Sequence, residues 1–523
     1  MLRLPSVLAL SSVFLTQVSL PQASAQTLDF SWPLNVGPLN PHDYSPNQMF
    51  AQAMVYEPLV QYKADGTIIP WLAESWVVSP DGKTFTFKLR PNVTFSNGQP
   101  FNATAVTQNL NAITANAKNH DWLGLVAALS SVKAVDEQTV EIVVKESYYP
   151  LLQELSLVRP VRFLAPAGFP ASGDTSKDIA APIGTGPWVL SETVQGQYDV
   201  FIRNENYWGE KPAFEKIVVK VIADANTRAI ALQTGEIDLI YGTGGQISPD
   251  TFQQLKSQGF VADISSPYET MAIAMNSGKA PTDDKSVRLA ITHAVNKDAI
   301  IEGIYYSTQR RADTLFSAAV PYANIGLKPF AFDAAKSAEL LDAAGWVLPE
   351  GATVRAKDGV ELKLELTFQA TDPVKKSLSE VIQADLAKIG VGLTITGLED
   401  SEFYARQSDG NFQMTFNGTW GAPYDPHAYA SGMRVPSHAD FMAQAGLARK
   451  AEIDAAITSA LESTNEAKRQ ADYSKVLTIL HEEAVYLPIA YITAIGVLGP
   501  DVTNLTFGAT SYEFPFSTLK PKQ

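Results

Sequence analysis

The sequence contains no cysteine among its 523 residues. Disulfide bonds and thiolate ligands for metal ions are therefore excluded, even if the chain enters an oxidising compartment. Stability must come from buried apolar surface, and 46% hydrophobic residues, including 24 Phe, 19 Tyr and 8 Trp, are ample for large cores. Because the chain is longer than one core usually supports, two or more lobes are expected.

Basic residues are also scarce, with 40 Lys and Arg against 55 Asp and Glu and a net charge of −15. No run rich in Lys or Arg occurs anywhere in the chain. Nucleic acids are polyanions that bind to basic surfaces, so a nucleic-acid ligand is excluded.

No segment after residue 25 is apolar enough to cross a membrane. The one longer apolar stretch, Leu4 to Leu20, follows Arg3 and is interrupted by polar residues. It is followed by Ala23-Ser24-Ala25, the small-x-small pattern that signal peptidase cuts. We predict that residues 1–25 are a secretory signal peptide, cleaved after Ala25, and that the mature chain is periplasmic.

Catalytic signatures are missing as well. There is no G-x-S-x-G elbow, no G-x-x-x-x-G-K-[ST] phosphate loop and no H-E-x-x-H helix. Gly184-Thr185-Gly186-Pro187 resembles a phosphate loop but lacks the lysine and the following helix, and we interpret it as a structural turn. With no identifiable pair of nucleophile and base, the chain is predicted not to be an enzyme and to hold no prosthetic cofactor.

The histidines are scattered and form no i, i+4 pair of the kind that binds zinc. His293 and His481 fall in predicted helices, where a packed or solvated histidine is expected, and His42 is expected to bond its own turn. His438 differs because it lies in Met433–Asp440, which has the marks of a loop, and loops carry binding residues disproportionately. His438 is the candidate metal ligand, with an exposed structural histidine as the alternative.

Local patterns predict several elements. Alternating residues on both sides of Pro80-Asp81-Gly82 predict a β-hairpin. Glu361 to Leu398 reads as strand, helix opened by Asp372-Pro373, and strand, which is a βαβ unit with parallel strands. The spacing of apolar residues from Val287 to Ile301 predicts one amphipathic helix, and Asp333 is expected to cap another that ends at Gly345.

A strand-rich first half followed by an α/β half predicts two lobes joined by crossings of the chain, an arrangement that encloses ligands by hinge closure. Tryptophans and tyrosines lie beside polar turns at Tyr44–Phe50, at Trp122 and at Trp420–His427. Such aromatic residues fit the lining of a cleft, and ordinary core packing is the alternative.

Several longer motifs resemble the peptide/nickel family of extracytoplasmic solute-binding proteins. They are Trp71–Trp76, Asp81–Arg90, Val93–Pro100, Gly184–Trp188, Arg203–Trp208, Gly235–Asp238 and Val287–Lys297. Within that family, the blocks Asn35–His42, Tyr44–Leu59, Trp420–His427 and Met433–Phe441 resemble the nickel-binding branch. The resemblance spans residues 28 to 520.

The resemblance implies an α/β fold of the two-lobed periplasmic-binding-protein type II, peptide-binding-protein-like, with a hinge between the lobes. Lobe I is expected to comprise residues 26–268, with an extra subdomain, completed by 492–523. Lobe II is expected to comprise residues 269–491.

The same resemblance implies the function: capture of nickel(II) as a complex with a small chelator such as L-histidine, and delivery to the membrane subunits of an ABC importer, by a monomer. Carried over position by position, the chelator contacts are expected to be Tyr44, Met49, Trp122, Arg159, Trp420 and Tyr424, with His438 as the metal ligand. A chain without cysteine and with one well-placed histidine cannot fill the shell of nickel, so a chelator must supply most donors.

Asn119 departs from the branch, which can have a second arginine there, and highly anionic chelates are therefore expected to bind more weakly. The alternative function is binding of di- or oligopeptides, with haem as a further cargo. Asp425 is the candidate partner for a peptide amine in that case.

Overall fold

The computed structural model describes residues 26–243 and 246–522. The predicted signal peptide and its cleavage after Ala25 lie outside these residues. Within the two described ranges, no helix is both long and apolar enough to span a bilayer.

A seven-stranded sheet is built from both ends of the chain. In sheet order its strands are Val261–Ile264, Ala494–Leu498, Leu239–Thr243, Thr27–Trp32, Lys216–Val221, Tyr198–Arg203 and Trp188–Val194. Thr27–Trp32 pairs in parallel with Lys216–Val221, and alternation along it buries Leu28 and Phe30 completely. The C-terminal residues thus complete the sheet that the N-terminal residues begin.

A six-stranded sheet contains the predicted βαβ unit. In sheet order its strands are Arg310–Arg311, Tyr486–Ile492, Glu269–Met275, Met414–Phe416, Lys363–Gln369 and Gly392–Leu398. The last two strands are parallel and are joined by the helix Pro373–Lys388. Asp372 caps this helix, because one carboxylate oxygen accepts from the backbone N–H groups of Val374 and Lys375 at 3.0 Å each. The βαβ prediction is confirmed.

A four-stranded antiparallel sheet contains the predicted hairpin, which is also confirmed. In sheet order its strands are Ala73–Val78, Thr84–Leu89, Thr139–Val144 and Leu129–Asp136. Three two-stranded ribbons complete the β structure: Val60–Tyr62 with Ile68–Pro70, Ala356–Lys357 with Val360–Glu361, and Val502–Thr503 with Lys520–Pro521.

The α-helices cover the sheets. They are Met49–Val55, Ala103–Ala115, Gly124–Ala128, Leu151–Glu154, Ala225–Gln233, Pro249–Ser257, Lys285–Ala294, Lys297–Gly303, Ala334–Ala343, Pro373–Lys388, Asp400–Ser408, His427–Gly432, Ala439–Gln444, Lys450–Glu462 and Glu466–Glu482. Short 3₁₀ turns lie at Ala117–His120, Pro166–Gly168 and Pro515–Ser517. The cap at Asp333 is confirmed, because its carboxylate accepts from the N–H of Lys336 at 2.8 Å.

The prediction of one helix from Val287 to Ile301 is wrong. Val295 is extended, with ψ of 119°, and ends the helix Lys285–Ala294. Asn296 then caps a second helix, Lys297–Gly303, by accepting from the N–H of Ala299 at 3.1 Å. Asparagine caps a helix well because its side-chain oxygen accepts from a backbone N–H of the first turn that has no partner within the helix. The apolar spacing continues from the first helix into the second, so it did not reveal the break.

The chain crosses between the seven-stranded and six-stranded sheets at two adjacent places. One crossing is residues 265–268 and the other is Thr493. Ser265 donates its N–H to the carbonyl of Ala494 at 2.9 Å, and its hydroxyl accepts from the N–H of Ala494 at 2.8 Å. Two short crossings that lie side by side have the geometry of a hinge.

Residues near the four-stranded sheet reach the helices of the other half. Tyr149 donates its N–H to the carbonyl of Leu461 at 2.8 Å, and the guanidinium carbon of Arg469 lies 3.5 Å from the centre of the Tyr149 ring. A guanidinium over a tyrosine face is an attractive cation–π contact. The two halves therefore touch, and the candidate site lies where they meet.

Candidate functional site

Tyr44 is the hub of one wall of the site. It lies in the turn that precedes the helix Met49–Val55. Its hydroxyl accepts from Nε1 of Trp122 at 2.8 Å and lies 2.6 Å from Nδ1 of His120. Burial raises the pKa of Tyr44, so the phenol keeps its proton at neutral pH. Two residues distant in sequence thus fix the orientation of this ring.

His120 was not identified from the sequence. Its side chain is completely buried, and burial lowers the pKa of the imidazole, which favours the neutral ring. The Tyr44 hydroxyl already accepts a hydrogen bond from Trp122, so it is best satisfied when it donates to Nδ1 of His120. His120 therefore positions Tyr44 and indirectly Trp122. Its place two residues before Trp122 is the only signal that sequence reasoning could have used.

Arg159 stabilises the turn that contains Tyr44. Its Nη1 donates to the backbone carbonyls of Tyr44 and Asn47 at 2.9 and 3.2 Å, and its guanidinium carbon lies 5.3 Å from the Tyr44 ring centre. Both acceptors are carbonyls, so the bonds do not neutralise the cation. A guanidinium has five N–H donors, which leaves others for a ligand.

The opposite wall is a loop and short helix from residues 420 to 438. Asp425 organises the loop, since its two carboxylate oxygens accept from the N–H groups of Trp420 and Gly421 at 3.2 and 3.1 Å. Gly421 has φ of +79°, a conformation that favours glycine. The ring centres of Trp420 and Tyr424 lie 6.4 Å apart as a result of this turn.

His438 lies against this wall. Its ring centre is 5.7 Å from that of Trp420, and it directly precedes the helix Ala439–Gln444. Gly432 leaves space for both rings, because a β-carbon there would lie 2.9 Å from Nδ1 of His438 and 2.9 Å from Cη2 of Trp420. The imidazole is half-buried, as expected for a side chain at the edge of a cleft.

Trp122 joins the two walls. Its ring centre lies 5.8 Å from that of Trp420, at 81°, and 5.9 Å from that of Tyr424. The six residues that these contacts connect are Tyr44, Trp122, Arg159, Trp420, Tyr424 and His438, which we call the cleft cluster. Five of them are predicted chelator contacts and the sixth is the predicted metal ligand.

Met49 and Asn119 are close in sequence to Tyr44 and Trp122 of the cleft cluster. Met49 is half-buried at the start of the helix Met49–Val55, five residues after Tyr44. Asn119 is exposed in the 3₁₀ turn Ala117–His120, three residues before Trp122. The side chain at position 119 is therefore neutral and directed into solvent.

Comparison with known proteins identifies the family. The model of the family described as "Bacterial extracellular solute-binding proteins, family 5 Middle" matches residues 67–441, which is most of the chain. The chain belongs to this family. It is 52% identical over 500 residues to the nickel-binding periplasmic protein of Escherichia coli (strain K12), with 95% of each chain covered. It is 27% identical over 490 residues to heme-binding protein A of Haemophilus influenzae (strain ATCC 51907 / DSM 11121 / KW20 / Rd), covering 88% of this chain and 85% of that one.

The fold of this family 5 protein agrees with that of a solved relative. The crystal structure of NikA from Brucella suis in complex with Fe(III)-EDTA superposes with a TM-score of 0.93 and 58% identity, covering 95% of this chain and 100% of that chain. The prediction of a two-lobed α/β binding-protein fold is confirmed. These relatives are named as binding proteins and not as enzymes.

Metal-ligating side chains are dispersed in the part of this family 5 chain that the structure describes. Among the residues that the structure describes, no three histidine or acidic side chains converge to hold a metal ion. His427 is buried against the hydroxyl of Tyr473 at 2.7 Å, and burial lowers its pKa to about 3. The prediction that His42 bonds its own turn is wrong, because its ring instead forms hydrogen bonds with Thr175 and Asn109 at 2.8 and 2.9 Å. Both rings are structural.

Asp425 gives stability a pH dependence. Burial raises the pKa of its carboxyl to about 7 in the folded chain, against about 3.9 when unfolded. The folded state therefore binds this proton more tightly, and the contribution of Asp425 to the free energy of unfolding falls as pH rises from about 4 to about 7 and is level above that. We expect Asp425→Asn to reduce this fall by on the order of 2 kcal/mol, measured by urea unfolding from pH 5 to 8.

Glu269 provides the comparison for this prediction, because burial also raises its pKa to about 7 and it is half-buried beside Gly421. Glu269→Gln should also reduce this slope, in part by lowering the pKa of Asp425, because the charge of Glu269 contributes to raising that pKa. If Asp425→Asn leaves the slope of the parent chain unchanged, the carboxyl of Asp425 is already ionised at pH 5 and the prediction is wrong.

Proposed function

We propose that this protein captures nickel(II) as a complex with a small organic chelator such as L-histidine, and delivers it to the membrane subunits of an ABC importer. The relative named for nickel is 52% identical, whereas the one named for haem is 27% identical. Capture outside the cell agrees with the family description, which names extracellular proteins. We propose that the chain is exported, that its signal peptide is cleaved after Ala25, and that the mature protein is a monomer.

The observation that carries this proposal is the composition of the cleft cluster: it contains one half-buried imidazole, that of His438 beside Trp420, together with three further aromatic rings and one arginine. Nickel(II) takes four to six ligands and accepts imidazole well. Because no set of three protein donors exists within the described residues, a chelator must fill most of the shell. The captured species is therefore a complex and not the bare ion.

Arg159 supports a chelator that carries a carboxylate. Its hydrogen bonds to the carbonyls of Tyr44 and Asn47 fix the guanidinium but leave its charge uncompensated. A planar guanidinium binds a carboxylate through paired N–H donors. Asn119 adds no second charge, so chelates with several negative charges should bind more weakly than nickel–histidine.

Apolar and aromatic side chains would exclude water and shape the pocket around the complex. They are Trp122, Trp420, Tyr44, Tyr424 and Met49. We propose lobes of residues 26–268 with 492–523, and of residues 269–491. Trp122 already contacts Trp420 in this structure, so the two walls meet at this point, and opening at the crossings near Ser265 and Thr493 would admit the chelate beside that contact.

The alternative function, peptide binding, would need the Asp425 carboxylate to be free for a peptide amine. Asp425, the candidate partner for a peptide amine, is 2% exposed, and both carboxylate oxygens accept backbone N–H bonds within the 420–425 loop. Its expected role in amine binding is therefore wrong. An amine could reach it only by displacing bonds that shape the wall of the site.

Calorimetry with the mature chain tests the proposal. Nickel with L-histidine should bind tightly, bare nickel at least ten-fold more weakly, and a dipeptide library and haem more weakly still. Tight peptide binding without any response to nickel–histidine would overturn the proposal.

Gly432→Ala should weaken the binding of nickel–histidine by about ten-fold. The added β-carbon would lie 2.9 Å from the rings of both His438 and Trp420, so one ring must move, and a binding site tolerates misplacement of only about 0.5 Å. Gly303→Ala is the matched control, because that glycine ends a helix and has nothing within 4 Å of its β position. Equal affinities of the two variants, measured by calorimetry, would contradict this account of Gly432.

A further inference from the structure

A cavity of about 870 Å³ lies outside the cleft cluster. Its lining residues fall between 50 and 210 and between 504 and 520, so no residue of the 269–491 segment contributes. None of the six residues of the cleft cluster lines it, and neither does Met49. The volume is within the range of about 300–1,000 Å³ that is typical of small-molecule sites.

Arg162 lies at the buried end of this cavity and is 4% exposed. Its Nη2 donates to the carbonyl of Ser156 at 3.1 Å and its Nη1 to the carbonyl of Val161 at 3.5 Å, while its Nε has no acceptor. Burial lowers its pKa to about 10, so the side chain remains a cation at neutral pH. Within the described part of the chain, no carboxylate forms an ion pair with it.

Three acidic residues line the cavity: Glu57 and Glu513 accept hydrogen bonds within the protein, and Glu210 is exposed to solvent. Glu57 accepts from Nε1 of Trp71, Nε1 of Trp208 and the hydroxyl of Tyr207, at 2.8, 2.8 and 3.0 Å. Glu513 accepts from a backbone N–H, that of Ala509, at 2.8 Å. The carboxylate of Glu57 has its donors. Glu57 and Glu513 attract the Arg162 guanidinium electrostatically, but neither forms an ion pair with it. A buried cation without a direct ion-pair partner is costly, and a bound anion would reduce that cost.

Several aromatic side chains also line the cavity. Trp71 and Trp208 meet edge to face with ring centres 5.3 Å apart, and the guanidinium carbon of Arg90 lies 4.6 Å from the Trp208 ring centre. Such walls favour a ligand with a flat or apolar body. An inorganic anion would leave this surface uncovered.

We propose that this cavity is a second ligand site, which takes a small organic carboxylate with an aromatic or apolar body. The carboxylate would pair with Arg162 at the buried end, and the body would lie against Trp71 and Trp208. The site needs no metal ion and shares no lining residue with the cleft cluster, although Arg162 interacts electrostatically with Tyr424 of that cluster. The protein would thus carry two ligands of different chemistry.

Phenylacetate and its neutral isostere phenylacetamide test the proposal, by calorimetry on the mature chain. Phenylacetate should bind at one site, and phenylacetamide at least ten-fold more weakly, because only the acid neutralises Arg162. Arg162→Met should abolish this preference, whereas Lys520→Met, at an exposed cation of the same lining, should change the phenylacetate affinity by less than three-fold. Equal binding of acid and amide by the parent chain, or no binding of either, would overturn the proposal.

Ala53→Trp tests the cavity without removing a buried charge. Ala53 lines the cavity and is half-buried, so an indole there would fill the space without deleting core contacts. Phenylacetate binding should be lost, and retention of the parent affinity would overturn the proposal even if Arg162→Met does not fold. His438→Ala should leave phenylacetate binding intact, which separates this site from the nickel proposal.

Discussion

The His438→Ala variant is expected to bind nickel–histidine about 100-fold more weakly than the parent chain. His438 is the imidazole of the cleft cluster that stands half-buried beside Trp420, and no other protein donors converge there among the described residues. Even partners outside the first coordination shell contribute about 10- to 100-fold to metal affinity, so loss of a direct ligand should cost at least as much. Calorimetry at fixed pH gives the ratio.

His293→Ala is the matched control, because His293 is also half-buried and bonds only a backbone carbonyl, that of Ala331, at 2.7 Å. Its affinity for nickel–histidine should equal that of the parent chain. X-ray absorption of the bound complex should show one imidazole fewer in the His438 variant. If affinity and coordination are both unchanged, the chelator provides the entire shell and His438 is not a ligand.

Arg159→Ala is expected to weaken the binding of nickel–histidine by about 10- to 100-fold and that of nickel–histamine much less. Histamine has the same imidazole and amine as histidine but no carboxylate, so it cannot use the guanidinium. Hydrogen bonds to charged groups contribute about 1.5–3 kcal/mol, which corresponds to this range. The ratio of the two affinities, measured by calorimetry, isolates the carboxylate contact.

The two chelates also separate this contact from the structural role of Arg159. Its bonds to the carbonyls of Tyr44 and Asn47 hold the turn, and their loss should weaken both chelates equally. Arg159→Lys keeps the charge but not the paired donors, and should recover part of the preference for histidine. Equal losses for histidine and histamine would show that Arg159 positions Tyr44 and does not bind the chelator.

The fold elements that could be predicted are those whose determinants are close in sequence. The hairpin at Pro80–Gly82, the βαβ unit with its cap at Asp372 and the cap at Asp333 all follow this rule. The break between Ala294 and Lys297 did not follow from periodicity, because the apolar spacing continues across it while Asn296 caps a new helix. Periodicity reports which face is buried and not whether the backbone is continuous.

The candidate site could be predicted only by resemblance. Tyr44 and Trp122 are 78 positions apart, and nothing local to either predicts the hydrogen bond between them. Asp425 is the candidate partner for a peptide amine in the alternative function, but its carboxylate accepts hydrogen bonds from the backbone of its own loop. The role of His120 depends on burial, which its neighbours in sequence do not reveal.

The sequence by itself determined the class of the molecule. The absence of cysteine and of catalytic motifs, the strand and helix patterns, and the family motifs depend on residue identity or on interactions over a few positions. Only the tertiary structure decided which groups are satisfied and which remain available: the neutral His120, the occupied Asp425, and the unpaired Arg162 in its cavity. The physical reason is that burial and pairing of polar groups depend on segments brought together from distant parts of the chain.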